Sequence, residues 1–220
     1  MNERSFELFH DEKILKRHQG KTLLNRLGIS YDELICYETH EPFFYIKSWK
    51  QQRNNLHVLI IENKDTYFSI KRLFQIGMYT WFDISFDLLV YAEGKKIIHS
   101  ISIMEEILEE GQECHIHYYG DLDPSGIRIW HSVRANTRYI CEPFVPFYHH
   151  LLNKHWHHAI PQHTEQLASE EELTSFYSYF HVEDVLHIQA IFAKNYYLPQ
   201  EGLTKVDYYQ LGSVSNEKVE

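Results

Sequence analysis

Hydrophobic residues crowd two stretches of the chain without polar alternation. Val58, Leu59, Ile60 and Ile61 follow one another directly, and Ile116, Tyr118 and Tyr119 dominate the start of HIHYYGDLDPSGIRIW (115–130). An unbroken apolar run fits a strand covered on both faces, as in a parallel sheet with helices above and below. Both runs stop at acids, the first at Glu62 and the second at Asp121 and Asp123. A helix is expected after each. Phe68, Ile70, Leu73 and Phe74 recur at roughly helical spacing behind Asn63 or Asp65 as cap. Behind the second run, Asp123 can cap and Pro124 suits the first helical position, where no N–H is needed.

The same patterning predicts the remaining elements. SFELF (5–9) reads as a short strand. Ile14, Leu15, Leu23, Leu24 and Leu27 mark an amphipathic helix over 11–27 that Gly28 can stop. PFFYIK (42–47) suits an edge strand with proline at its start. FDLLVY (86–91) gives another strand, AEGKK a turn, and Ile97, Ile98, Ile101, Met104, Ile107 and Leu108 a helix that Gly111 ends. A fourth core strand is expected over 139–145. Past Pro146 the pattern is helical: LLNKHW sits in one helix, SEEE (169–172) starts another, and 182–197 forms the last. The tail from Gly212 is polar and expected to fray. Alternating strands and helices imply an α/β fold with a central parallel sheet of about four strands. Residues 1–50 read as an approach segment, 51–145 as the core and 146–220 as a helical extension.

Composition narrows the class. At 220 residues, 44% hydrophobic and 15% aromatic, the chain can bury one large core. No apolar run reaches the length of a membrane span, and the charged start MNERSFELFHDEK is not a signal peptide. Cys36, Cys114 and Cys141 lack metal-type spacing and fit reduced thiols in a cytoplasmic protein. A net charge of −10 argues against indiscriminate DNA binding, so a nucleic-acid enzyme of this balance needs a local basic face or a partner that supplies one.

The chemistry lies with the acids. Ligands of open α/β sheets sit beyond the carboxyl ends of the strands, where Glu62, Asp121 and Asp123 all fall. If the two strands are neighbours, the three carboxylates repel one another unless a cation stands between them. Hard oxygen donors suit Mg²⁺, with Mn²⁺ as substitute, and such an ion can polarise a phosphoryl oxygen and activate water. Acids after strands are also ordinary helix caps, so a lone DxD is a weak signal. Lys64 stands beside Glu62. Lys95 and Lys96 follow a strand end where a phosphate can pass, although solvated turn lysines fit as well. Arg128 lies one turn into the helix after Asp123. The histidines at 149, 150, 155, 157, 158 and 163 have no accompanying cysteine, and no P-loop glycine pattern occurs.

A strand ending in Glu followed by one ending in DxD resembles the Toprim domain of topoisomerases, primases and related nucleases. IIENKDTY and YYGDLDPSGIRI are more specifically similar to the C-terminal family of the Wadjet defence protein JetD, related to the A subunit of type IIB topoisomerases. SFELFHDEKIL and LPQEGL also look like parts of that pattern, so the resemblance runs from about Arg4 to Leu203. It implies a metal-dependent DNA nuclease in plasmid or phage defence, working with a condensin-like complex and a second copy of itself. It also makes Glu201 a candidate fourth metal ligand; a helix-capping Glu after Pro199 is the other reading. Topoisomerase relatives attack through a tyrosine on a winged helix, but about fifty residues before the first core strand are few for one, and Tyr31, Tyr37 and Tyr45 have no supporting pattern. Hydrolysis by water is therefore expected. JetD proteins normally carry amino-terminal arms that are absent here, so the chain reads as a short relative or a fragment. The rival expectation is a non-catalytic DNA- or protein-interaction module on a Toprim scaffold.

Overall fold

The computed structural model describes residues 1–37, 39, 42–48, 53–163 and 167–213. The chain divides into two compact units, Met1–Glu41 and Pro42–Glu220.

The first unit holds helices α1 (Asn2–Phe9) and α2 (His18–Leu27) around a small core of Leu15, Leu24 and Cys36. SFELF is therefore helical, not a strand. The helix expected from residue 11 begins only at His18. Asp11 Oδ1 accepts the N–H of Lys13 at 2.8 Å, a local turn that competes with helix before that point. Gly28 ends α2 in the left-handed region, as expected, at φ 67°.

The second unit is built on a five-stranded sheet. Its strands are β1 (Phe44–Lys47), β2 (Asn55–Ile61), β3 (Leu88–Tyr91), β4 (Glu113–Tyr119) and β5 (Ile140–Pro143), in the order β1-β3-β2-β4-β5. The sheet is mixed and has five strands, not four parallel ones. β3, β2, β4 and β5 run parallel, while β1 pairs antiparallel on the outer edge of β3, Phe44 opposite Tyr91. PFFYIK is thus an edge strand of this sheet, set by its antiparallel pairing with Leu88–Tyr91.

Helix α3 (Lys64–Phe74) carries the crossover from β2 to β3, and α4 (Pro124–Ala135) that from β4 to β5. Right-handed crossovers in opposite directions put these helices on opposite faces. The helix expected over 97–108 is instead a series of single turns, 3₁₀ at Gly94–Lys96 and Ile101–Ile103 and α at Ile97–Ser100 and Met104–Ile107. Five β-branched isoleucines and two serines in that run disfavour a continuous helix.

Helices α5 (Val145–His155), α6 (Glu170–Tyr177), α7 (Val182–Phe192) and α8 (Lys205–Leu211) complete the unit. Ser169 caps α6 in a full capping box with Glu172. α7 stops at Phe192, short of the expected 197, because Asn195 turns left-handed at φ 57° and Tyr196–Tyr197 pair with Ile160–Pro161. Gly212 and Ser213 pair with Trp81 and Thr80; the rest of the expected frayed tail lies outside the described residues. One continuous aromatic core spans the unit, with Phe74, Trp81, Phe147 and Tyr119 in successive ring contact. No described helix is long and apolar enough to cross a membrane.

Candidate active site

The two acid-ended strands are direct neighbours. Ile61 is registered with Tyr119, and the Glu62 N–H continues the ladder to the Tyr119 carbonyl at 3.1 Å. Glu62 therefore stands opposite Gly120, with Asp121 the next residue along. A Cβ on Gly120 would lie 2.3 Å from Glu62 Oε2, so the carboxylate occupies the space that glycine leaves. Tyr118, fully buried, donates its hydroxyl to Glu62 Oε2 at 2.8 Å, and the Asp121 N–H also points at this carboxylate.

Asp121 and Asp123 divide their oxygens differently. Asp121 Oδ1 accepts the Gln200 N–H at 2.8 Å. Asp123 is the N-cap of α4, its Oδ1 accepting the Gly126 N–H at 2.6 Å. Asn63 caps α3 in the same way, accepting from Asp65 and Thr66. The positive ends of two helices thus flank one acidic strand edge.

Burial and like charge act together on the trio. Burial, then the Asp121 charge, push the Glu62 carboxyl up to about 8 against the pull of the Tyr118 hydroxyl. Burial pushes Asp121 up to about 6, opposed by the Gln200 N–H and aided by Asp123 and Glu201. Asp123 is raised by burial and held down by its two N–H donors.

Gln200 joins this edge without any signal in the motif pattern. An antiparallel bridge between Leu122 and Leu198 carries LPQEGL alongside the DxD turn. Gln200 Oε1 then accepts the Asn63 N–H at 2.7 Å while its amide donates to the Tyr119 carbonyl. Glu201 is exposed in a 3₁₀ turn, and its Oε1 accepts from Asn63 Nδ2 at 2.6 Å. It is thus brought to the same edge, where its charge reaches Asp121.

The candidate cations are scattered. Lys64 is exposed at the first position of α3, adjacent to Glu62. Lys95 is exposed in the turn after β3, and its neighbour Lys96 pairs with Glu93. Arg128 donates to the Leu167 carbonyl at 3.0 Å, which ties the guanidinium to the backbone.

A family model for the C-terminal region of the Wadjet protein JetD matches residues 41–204, most of the chain. The chain belongs to this JetD C-terminal family. Curated proteins yield no match. The family match covers the whole sheet together with Glu62, Asp121, Asp123, Gln200 and Glu201, so the acidic edge lies within the shared part of the JetD fold.

A second cluster of titratable groups lies on the same sheet, outside the motifs of the two acid-ended strands. His57 on β2 and His115 and His117 on β4 face the same side of the sheet, nearer its other end. Their ligand-type nitrogens all lie within 4.8 Å of one another. Alternation in HIH is the signal that can find two of them, since positions two apart in a strand share a face. The third is visible only once β2 and β4 are registered.

Proposed function

We propose that the edge formed by Glu62, Asp121 and Asp123 is a Mg²⁺-dependent phosphodiesterase site acting on DNA, on a Toprim-type scaffold serving Wadjet-type defence. The observation that carries this reading is the register of Ile61 with Tyr119, which stacks two acid-ended parallel strands side by side. The donors fit the ion: three carboxylates supply hard oxygens, and the missing Cβ of Gly120 leaves room for one of them. Asp121 and Glu62 would hold Mg²⁺, or Mn²⁺ in its place, with Asp123 contributing the oxygen that does not cap α4 and Glu201 within reach as a further ligand.

Mg²⁺, when bound, withdraws charge from a non-bridging phosphate oxygen. The chain's own residues do the rest. A carboxylate of the edge that is ionised and not taken up by the metal accepts the proton of the attacking water, and Glu62 fills this role where it does not complete the metal shell. The water oxygen bonds to phosphorus as the P–O bond to the leaving sugar breaks, and that oxygen is protonated from solvent. Lys64 and the amino ends of α3 and α4 steady the phosphate backbone.

By the family's association with Wadjet, the partners would be plasmid or phage DNA, a condensin-like complex that presents it, and a second copy of this chain. The test is a nicking assay on supercoiled plasmid with Mg²⁺ or Mn²⁺, comparing wild type with Glu62→Gln and Asp121→Asn. Cleavage that both variants lose while remaining folded supports the nuclease.

A second reading, a non-catalytic interaction module, is favoured by the charge: −10 overall, with Lys96 paired to Glu93 and Arg128 held by a backbone carbonyl. Metal-independent partner binding with no cleavage by wild type, alone or with the partner, supports it instead.

A further inference from the structure

We infer that His57, His115 and His117 form a binding site for a borderline divalent cation of the Zn²⁺ class, separate from the acidic edge. Register alone brings them together. His57 pairs with His115 across β2 and β4, and His117 follows two residues on along the same face. His57 Nδ1 and His117 Nε2 are 3.1 Å apart. Two nitrogens each about 2.0 Å from one tetrahedral ion stand roughly 3.3 Å apart, so the pair already has close to the required bite. The ring centroids of His115 and His117 are 4.2 Å apart, and those of His57 and His115 5.7 Å, which closes the other two sides.

The surroundings hold the rings in place. Glu142 on β5, registered with His117, lies with its Oε2 2.8 Å from His115 Nε2. A carboxylate behind a ligating imidazole fixes the ring and its tautomer, as is usual at histidine metal sites. Asp87 Oδ2 accepts the His57 backbone N–H at 2.8 Å and anchors that strand. Phe86 and Phe144 meet His117 edge-on and keep water from its buried side.

Burial, with the neighbouring imidazoles, pushes His117 down to about 3 and also lowers His57, so both rings are neutral, the form that ligates. His57 and His115 remain partly exposed, leaving the fourth position open to water or a solute. Neutral imidazoles select Zn²⁺, Ni²⁺ or Cu²⁺ over Mg²⁺. The cluster lies about four residues, or roughly 13 Å, before Asp121 along β4. An ion here would clamp together the two strands that carry the acidic edge.

The test uses the full chain with any purification tag removed and metals stripped by chelation. Zn²⁺ is titrated by calorimetry, and Co²⁺ is added as a spectroscopic probe of nitrogen coordination. Wild type is expected to take one tight equivalent, raise its melting temperature and develop tetrahedral Co²⁺ bands. His57→Ala and His115→Ala, at partly exposed positions that tolerate truncation, are each expected to weaken binding by more than about 100-fold, and Glu142→Gln by about 10–100-fold. Glu62→Gln keeps the site. Absence of a tight equivalent in wild type overturns the inference. So does retention in His57→Ala and His115→Ala, or loss in Glu62→Gln alone. Because Glu62→Gln abolishes the proposed cleavage and spares Zn²⁺ binding, failure of one reading is distinguishable from failure of the other.

Discussion

Gln200 Oε1 accepts the backbone N–H of Asn63 at 2.7 Å, bridging 137 positions of sequence to hold the end of β2 against the LPQEGL turn. The same side chain donates to the Tyr119 carbonyl at the end of β4, and Gln200 is wholly buried. Truncation to alanine leaves the Asn63 N–H without a partner and removes one of two donors to Tyr119 O. Losing a buried polar partner costs about 1–3 kcal/mol, so Gln200→Ala is expected to destabilise the chain by ~2–3 kcal/mol. Urea unfolding measures this. A loss below about half a kcal/mol would show that water replaces the amide.

Gly120 tests whether Glu62 needs the space it occupies. A methyl there would fall 2.3 Å from Glu62 Oε2 and 2.8 Å from the Tyr118 ring. The carboxylate must then swing away, and a displacement of about 1 Å at a reacting group can cost on the order of 100-fold in rate. Gly120→Ala is expected to lose 10- to 100-fold in Mn²⁺-supported nicking, while circular dichroism shows a folded chain destabilised by about 1–3 kcal/mol. Full activity in this variant would remove Glu62 from the chemistry.

Tyr118 orients that same carboxylate through its 2.8 Å hydrogen bond. Tyr118→Phe keeps the ring and deletes only the donor. Partners of metal-ligating groups are worth about 10- to 100-fold in affinity, so Mn²⁺ binding by calorimetry is expected to weaken by that factor. Unchanged Mn²⁺ affinity would mean that Glu62 does not ligate.

The candidate cations separate by what already occupies them. Lys64 is exposed beside Glu62, whereas Lys96 is engaged by Glu93. Lys64→Ala is expected to reduce plasmid affinity several-fold and to flatten its salt dependence by about one counterion; Lys96→Ala is expected to do less. Filter binding across a salt series checks the order, and the reverse order would move the DNA path to the β3 turn.

What was legible in the sequence was local. The apolar runs ending at Glu62 and Asp121, the caps Asn63, Asp123 and Ser169, and the Gly28 stop each announce themselves within a few residues. Elements decided by distant partners did not. PFFYIK reads as an edge strand, but its direction comes from pairing with Leu88–Tyr91. SFELF forms part of a helix in which Ser5 is buried with its hydroxyl donating to the Asp11 carbonyl, a contact no periodicity shows. Gln200 and the His57–His117 pair depend on bridges of 81 to 137 and of 60 positions. Within LPQEGL the charged Glu201 is the residue a ligand pattern selects, while its neutral neighbour Gln200 makes the structural joins.

Asp207 closes the carboxyl end of the fold and carries a pH signature. Its Oδ2 accepts from the Thr204 N–H and hydroxyl, both at 2.7 Å, in the capping box of α8, and Lys154 Nζ lies 2.8 Å from both carboxylate oxygens. Helix α8 matters because Trp81 donates its indole N–H to the Tyr208 carbonyl, tying that helix to the core. Partial burial pushes the Asp207 carboxyl up, but Lys154 and the Thr204 donors outweigh it and hold it at about 2, below its ordinary 3.8. A depressed folded pKa stabilises the native state above the unfolded value, and that stability is lost as pH falls through the folded one. Asp207→Asn is therefore expected to cost about 1 kcal/mol at pH 7, as a weakened cap and a lost ion pair. The gap from wild type should stay constant down to about pH 4 and narrow between about pH 4 and 2, because the protonated acid and the amide then present similar neutral groups. Paired thermal melts across that window decide it. A gap that holds its size at the acid end would show that the cap, not the charge, carries the whole contribution.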